Sequence, residues 1–271
     1  MTIMRKLLYV TLAIAGLAAC RSSHIKEDKD LGEVFKAHQV TDGCFEMYDN
    51  SHDIVHYFNK ERCATPYTPA STFKIMNSLV ALQTGIALDE NLVIPWDGVT
   101  RSRAEWNKDM DMREAFKVSN VAYYQEIARR IGKTEMQHYL DTVQYGNKKI
   151  GGAIDRFWLD GSLRITADEQ VGLMKKLYHD ELPFSKRNQR IVRSMMMQEN
   201  EEKYKLSYKT GMGSQNDTTI AWIVGFAEDS MSHPFFFAMN FSTVDTTMDI
   251  PAKRLDLLHD LLKKKGVIPS K

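Results

Sequence analysis

The chain has 271 residues, 43% hydrophobic and 26% charged, and its 36 basic side chains nearly cancel 35 acidic ones. That balance fits a soluble, enzyme-sized globular chain with a sizeable core. With no long basic run interleaved with aromatics, it argues against a nucleic-acid partner.

At the N-terminus Arg5 and Lys6 precede an apolar run from Leu7 to Ala19, too short to span a bilayer comfortably. Residues 1–19 therefore read as a signal peptide, residues 20–30 as a polar tether, and residues 31–271 as a single domain. Leu17-Ala18-Ala19-Cys20 resembles a bacterial lipobox. It implies an exported, periplasmic lipoprotein whose membrane contact runs through a lipid on Cys20, in place of a plain secretory signal. Cys44 and Cys63 then remain, and outside the reducing cytoplasm they are either a disulfide or two small buried hydrophobes.

Cys44 to Tyr48 and Ile54 to Phe58 read as strands of a hairpin around the polar Asp49 to Asp53 connection. His52 and His56 fall in that hairpin rather than on a helix, and no His-x-His-x-Asp or His-Glu-x-x-His run exists, so no metal site is expected. Pro69 and Ala70 lead into a helix through Ile75, Met76, Leu79, Val80 and Leu82 that is apolar on most faces and so buried. Helical patterns continue from about residue 91 to 200, over Val121 to Ile131, Thr134 to Val143 and Thr166 to Tyr178, the last opened by a Thr166-x-x-Glu169 capping box. Strands return at Tyr204 to Thr210, Thr218 to Ala227 and Pro234 to Phe241, and an amphipathic helix from about Pro251 to Lys265 closes the chain. The order predicts an α+β, sandwich-like fold: one antiparallel sheet from both termini, with a mostly helical region inserted.

Ser71-Thr72-Phe73-Lys74 places a hydroxyl and an amine at i and i+3, neighbours on one helix face. A serine becomes a good nucleophile when a base such as a neutral amine removes its proton. A helix N-terminus beside Ser71 would also favour an oxyanion. Ser23-His24-Ile25-Lys26 matches the same template, but only the Ser71 copy follows a proline, opens an apolar helix and has companions downstream. These are Ser119-Asn120-Val121, Tyr145-Gly146-Asn147 and Lys209-Thr210-Gly211, in that order.

The four motifs resemble those of the penicillin-recognising serine enzymes. Val121, the Tyr-Gly-Asn element and Phe157-Trp158-Leu159-Asp160-Gly161 resemble class D, the oxacillinase-type β-lactamases. The resemblance runs from about Gly43 to the C-terminus. It implies hydrolysis of the β-lactam ring through acylation of Ser71, a small-molecule β-lactam as partner, and no cofactor beyond carbon dioxide or bicarbonate, which would carbamylate Lys74. Carbamylated Lys74 would be the base, Ser119 a proton relay, and Trp158 a donor to the modified lysine. Val121, Lys209, Thr210, Gly211 and Met212 would line the substrate site, with the backbone N–H groups of Ser71 and Met212 as oxyanion hole. Arg254, twelve positions before Gly266, falls where the class keeps an arginine for the substrate carboxylate. No Glu-x-x-Leu-Asn element supplies a separate deacylating glutamate, and Asp160 has no assigned role. The rival readings on the same fold are a β-lactam sensor, a penicillin-binding peptidase and an inert binding lipoprotein. Preference among penicillins, cephalosporins and carbapenems is expected to rest on loops near Trp106 and after Thr218.

Overall fold

Among the described residues seven strands form one sheet in the order β1-β3-β2-β7-β6-β5-β4. They are β1 (His24–Glu27), β2 (Gly43–Asp49), β3 (Ile54–Phe58), β4 (Met197–Asn200), β5 (Lys205–Gln215), β6 (Thr218–Glu228) and β7 (Pro234–Thr243). The computed structural model describes residues 24–215 and 217–270; the expected signal peptide and Cys20 lie outside them. Among the described residues no helix is long and apolar enough to cross a membrane.

The helices are α1 (Lys29–Ala37), α2 (Lys60–Cys63), α3 (Lys74–Gln83), α4 (Met112–Lys117), α5 (Val121–Ile131), α6 (Lys133–Val143), α7 (Ala167–Tyr178), α8 (Lys186–Met196) and α9 (Ile250–Lys264). Strand side chains alternate between two apolar layers, as a period of two requires. Trp222, Val224 and Phe226 of β6 face the inserted helices. Ala221, Ile223 and Ala227 face α1 and α9, where Leu31, Phe35, Leu258 and Leu261 cover them. Because both faces are covered, β6 and β7 are buried almost throughout.

Three sequence expectations need correction. The sheet is antiparallel except at one edge, where β1 pairs in parallel with β3. That strand and the start of α1 occupy part of the expected tether. All four β1 residues are exposed, so main-chain bonds hold it and no apolar pattern marks it. Second, α3 begins at Lys74, and Ser71 lies in a preceding 3-10 turn, Ala70–Phe73. There Pro69 O accepts bonds from both the Thr72 N–H (3.1 Å) and its hydroxyl (2.8 Å), closing an i to i+3 turn ahead of the α-helix. Third, residues 84–111 are mostly irregular, with one short 3-10 turn at Ala104–Trp106. Of the two states open to Cys44 and Cys63, the structure has buried free thiols. The Thr166 capping box forms in full.

Candidate active site

The turn Ala70–Phe73 and the start of α3 set the centre of the site. Ala70 takes a left-handed φ of 48°, and its N–H donates to Trp158 O at 3.1 Å. Lys74 then points its amine back at Ser71, with Nζ 2.7 Å from Oγ. Lys74 is fully buried. Burial, assisted by the Arg103 charge, lowers its pKa to about 7, because a desolvated ammonium is disfavoured. The Tyr124 ring centroid lies 5.4 Å from Nζ. Trp158 stacks on Phe73 with centroids 5.5 Å apart, and its indole Nε1 is buried without a hydrogen-bond partner.

The facing wall comes from β5 and the turn before α5. Ser119 takes a φ of 57°, and Lys209 Nζ donates to its hydroxyl at 3.0 Å. Lys209 is also buried; desolvation first, then the charges of Lys74, Arg254 and Arg103, push its pKa well down. β6 pairs with β5 along its whole length, whereas β4 reaches only as far as Ser207, which leaves the other edge of β5 open from Lys209 onward. An open edge offers main-chain donors and acceptors to a bound amide. Gly211 makes the approach of β5 to the Ala70–Phe73 turn possible. A Cβ there would stand 2.8 Å from Pro69 O and 3.3 Å from Thr72 N. Arg254 of α9 donates to Gly211 O at 2.9 Å, while its Nε is buried without a partner. Burial, with Arg103 adding repulsion, lowers the Arg254 pKa to about 10.

Ser71, Ser119, Val121, Thr210, Gly211, Met212 and Arg254 thus line one cleft of about 150 Å3, while Lys74, Trp158 and Lys209 support it from beneath. Sequence reasoning missed Arg103 and Pro251, which also line it, and used Trp106 only as a loop marker. Arg103 sits over the Trp106 ring at 5.2 Å, in a loop with no motif to single it out. Among the described residues no carboxylate lines the cleft, so Arg103 and Arg254 give it a positive field suited to an anionic ligand.

Tyr145-Gly146-Asn147 stands outside the cleft and shapes its floor. Tyr145 packs edge-on against Phe73, with centroids 5.4 Å apart. Asn147 donates to Ser162 O at 2.9 Å and accepts from Arg164 N–H at 3.1 Å, which clamps the far end of the Trp158 loop. Asp160 accepts from Ser162 N–H at 2.9 Å and so closes a turn in that loop. Gln170 of α7 donates to the Thr72 hydroxyl at 2.9 Å and steadies the Ala70–Phe73 turn. A serine beside a buried amine of lowered pKa, a second serine bridged to a buried lysine, and a cationic cleft at a strand edge form a set suited to acyl transfer.

Residues 34–261 match the family described as the penicillin binding protein transpeptidase domain. Beta-lactamase OXA-48 of Klebsiella pneumoniae is 38% identical over 261 residues, covering 96% of this chain and 97% of that protein. The probable beta-lactamase YbxI of Bacillus subtilis is 37% identical over 278 residues, covering 98% and 100%. Among solved structures, a class D β-lactamase from Nostoc superposes with a TM-score of 0.84 at 37% identity, over 88% of this chain and 99% of that one. The C-terminal domain of the Bacillus licheniformis BlaR penicillin-receptor also superposes with a TM-score of 0.84, at 29% identity, over 91% and 98%.

Proposed function

The chain belongs to the class D β-lactamases within the penicillin-binding transpeptidase family, and from that membership we propose that it hydrolyses β-lactams through an acyl-enzyme on Ser71, with Lys74, N-carboxylated by carbon dioxide, as the base. Lys74 takes the Ser71 proton as Oγ attacks the lactam carbonyl. The developing oxyanion is met by the backbone N–H groups of Ser71 and Met212. Ser119, bridged to Lys209 at 3.0 Å, passes a proton to the departing lactam nitrogen. Arg254 holds the substrate carboxylate, with Arg103 adding to the local field. Lys74 then takes a proton from water, which attacks the ester and frees Ser71.

The observation that carries this reading is the pairing of a buried Lys74, whose pKa is lowered to about 7, with a buried Trp158 indole N–H that has no acceptor. A neutral amine adds carbon dioxide, and the resulting buried anion needs donors. Trp158 Nε1 and Ser71 Oγ are the two we assign. Carbon-13 NMR of the protein in labelled bicarbonate should show one carbamate signal that is absent from Lys74→Ala. Intact mass spectrometry with a slow β-lactam should show one adduct, absent from Ser71→Ala. A missing carbamate signal, or an adduct on Ser71→Ala, overturns the assignment. The likeness to a penicillin-receptor domain supports a second reading, a sensor that keeps its acyl group. Release of that adduct within the assay favours the hydrolase, and a lasting adduct favours the sensor. We further propose export with a lipid on Cys20, which predicts a membrane-bound protein that Cys20→Ser releases or leaves unprocessed.

A further inference from the structure

Away from the cleft, β2, α2 and the first turn of α7 bring Glu46, Cys63 and Asp168 together, with one donor atom of each within 4.8 Å of the others. Glu46 is 4% and Cys63 0% exposed, and Asp168 is half-buried. Two carboxylate oxygens in this cluster, Glu46 Oε2 and Asp168 Oδ1, are buried without a hydrogen-bond partner. The principal groups acting on Glu46 are Asp168 and Tyr57, each within hydrogen-bond reach of its carboxyl, and Cys44, none of them a cation. Two carboxyl groups and a thiol packed in a largely buried cluster, with no cation among the principal groups acting on Glu46, invite either a shared proton or a metal ion. The mixed oxygen and sulfur donors fit a borderline ion better than calcium or magnesium, which take oxygen alone.

We propose that Glu46, Cys63 and Asp168 bind a zinc ion, separate from the catalytic cleft. Zinc bonds of roughly 2.0–2.3 Å would bring the donors slightly closer to one another. Cys44, whose thiol faces that of Cys63, flanks the ion. On binding, the Cys63 S–H bond breaks, a sulfur-to-zinc bond forms, and the thiol proton leaves to solvent with any proton held between the two carboxyls. No electron is transferred. The ion would tie β2 and α2 to α7, the helix whose Gln170 steadies the nucleophile turn.

The test adds cobalt(II) alone to chelator-treated, reduced protein, both folded and refolded in its presence. One equivalent should bind with a thiolate-to-cobalt charge-transfer band, and zinc should displace it. Cys63→Ser should lose the band, Glu46→Gln should weaken binding at least about tenfold, and zinc should raise the thermal midpoint of the parent protein only. Circular dichroism checks each variant's fold. If Cys63→Ser does not fold, Asp168→Asn, at the half-buried side of the cluster, replaces it and should also weaken binding. The proposal fails if the folded, reduced parent shows no such band. It also fails if the band survives Cys63→Ser, if Asp168→Asn used in its place binds as tightly as the parent, or if protein isolated without reductant carries a Cys44 to Cys63 disulfide.

Discussion

Lys74 shows most directly how chemistry and stability oppose each other at one residue. Its pKa falls from 10.5 to about 7, so the folded state binds fewer protons there than the unfolded chain between those values. Stability therefore rises with pH across that window, and the full cost of the buried charge, roughly 5 kcal/mol at about 1.4 kcal/mol per pKa unit, is felt below pH 7. Lys74→Met keeps the volume and drops the charge. It should be inactive yet more stable at neutral pH by about 1–2 kcal/mol, as measured by denaturant unfolding; a less stable variant would contradict the assigned burial cost. In the parent enzyme, activity should fall as pH drops through about 7 and recover with bicarbonate. Trp158→Phe removes the orphaned indole N–H together with the pyrrole half of the ring, and keeps an aromatic ring against Phe73. Deacylation should slow by roughly tenfold to a hundredfold, the worth of a hydrogen bond to a charged group, while acylation slows less. Single-turnover kinetics would separate the two steps. Lys74 and Trp158 were legible in the sequence as candidates, because both lie in short ordered motifs. Arg103 was not, since its charge matters only because a loop folds over the cleft.

Among the elements, β5 and the nucleophile turn depend on each other's backbone. Gly211 is needed because β5 passes so close to Pro69 O and Thr72 N that a Cβ would collide with backbone. Gly211→Ala should push the strand edge outward by a few tenths of an ångström and cost about 1–3 kcal/mol of overpacking strain. We expect kcat/KM to fall at least about tenfold with carbamylation of Lys74 intact by NMR; unchanged kinetics would mean the edge can yield. The helices and strands themselves followed from periodicity: the hairpin β2–β3, α5, α7 and the three long C-terminal strands stand where the sequence pattern predicts them. What periodicity did not yield was the 3-10 turn at Ser71 and the polar strand β1. Both are held by specific main-chain bonds to distant partners, such as Ala70 N to Trp158 O and Asp28 N to Tyr57 O at 2.7 Å.

Across the molecule, the first and last described helices meet on one face of the sheet. Lys265 Nζ donates to Asp28 at 2.7 Å and approaches His56 Nδ1 at 3.0 Å. Burial alone would raise the Asp28 pKa, but the hydrogen bond and charge of Lys265, with Lys26 and His56, outweigh it and lower the value. A depressed carboxyl pKa means that this stability is present above the ordinary value of 3.8 and is lost as pH falls through the folded value. Lys265→Met leaves Asp28 largely buried, with His56 at 3.5 Å as the partner that remains. It should lower unfolding free energy at pH 7 by about 1–3 kcal/mol and flatten the acid limb of the stability profile. Equal acid limbs in the two proteins would show that the pair contributes nothing.

By itself the sequence determined the family, the α+β class, the order of most elements and the motif residues to examine as a site, because those are written in short-range spacing: hydroxyl and amine one helical turn apart, apolar residues at periods of two or near 3.6, and motifs in a fixed order. Only the tertiary structure decided that Lys209 reaches Ser119 across 90 positions, that Arg254 leans on Gly211 across 43, and that Glu46, Cys63 and Asp168 share one pocket of the core. Such contacts arise from the packing of helices on both faces of a twisted sheet. Local propensity carries no record of which distant side chains that packing will bring within bonding distance.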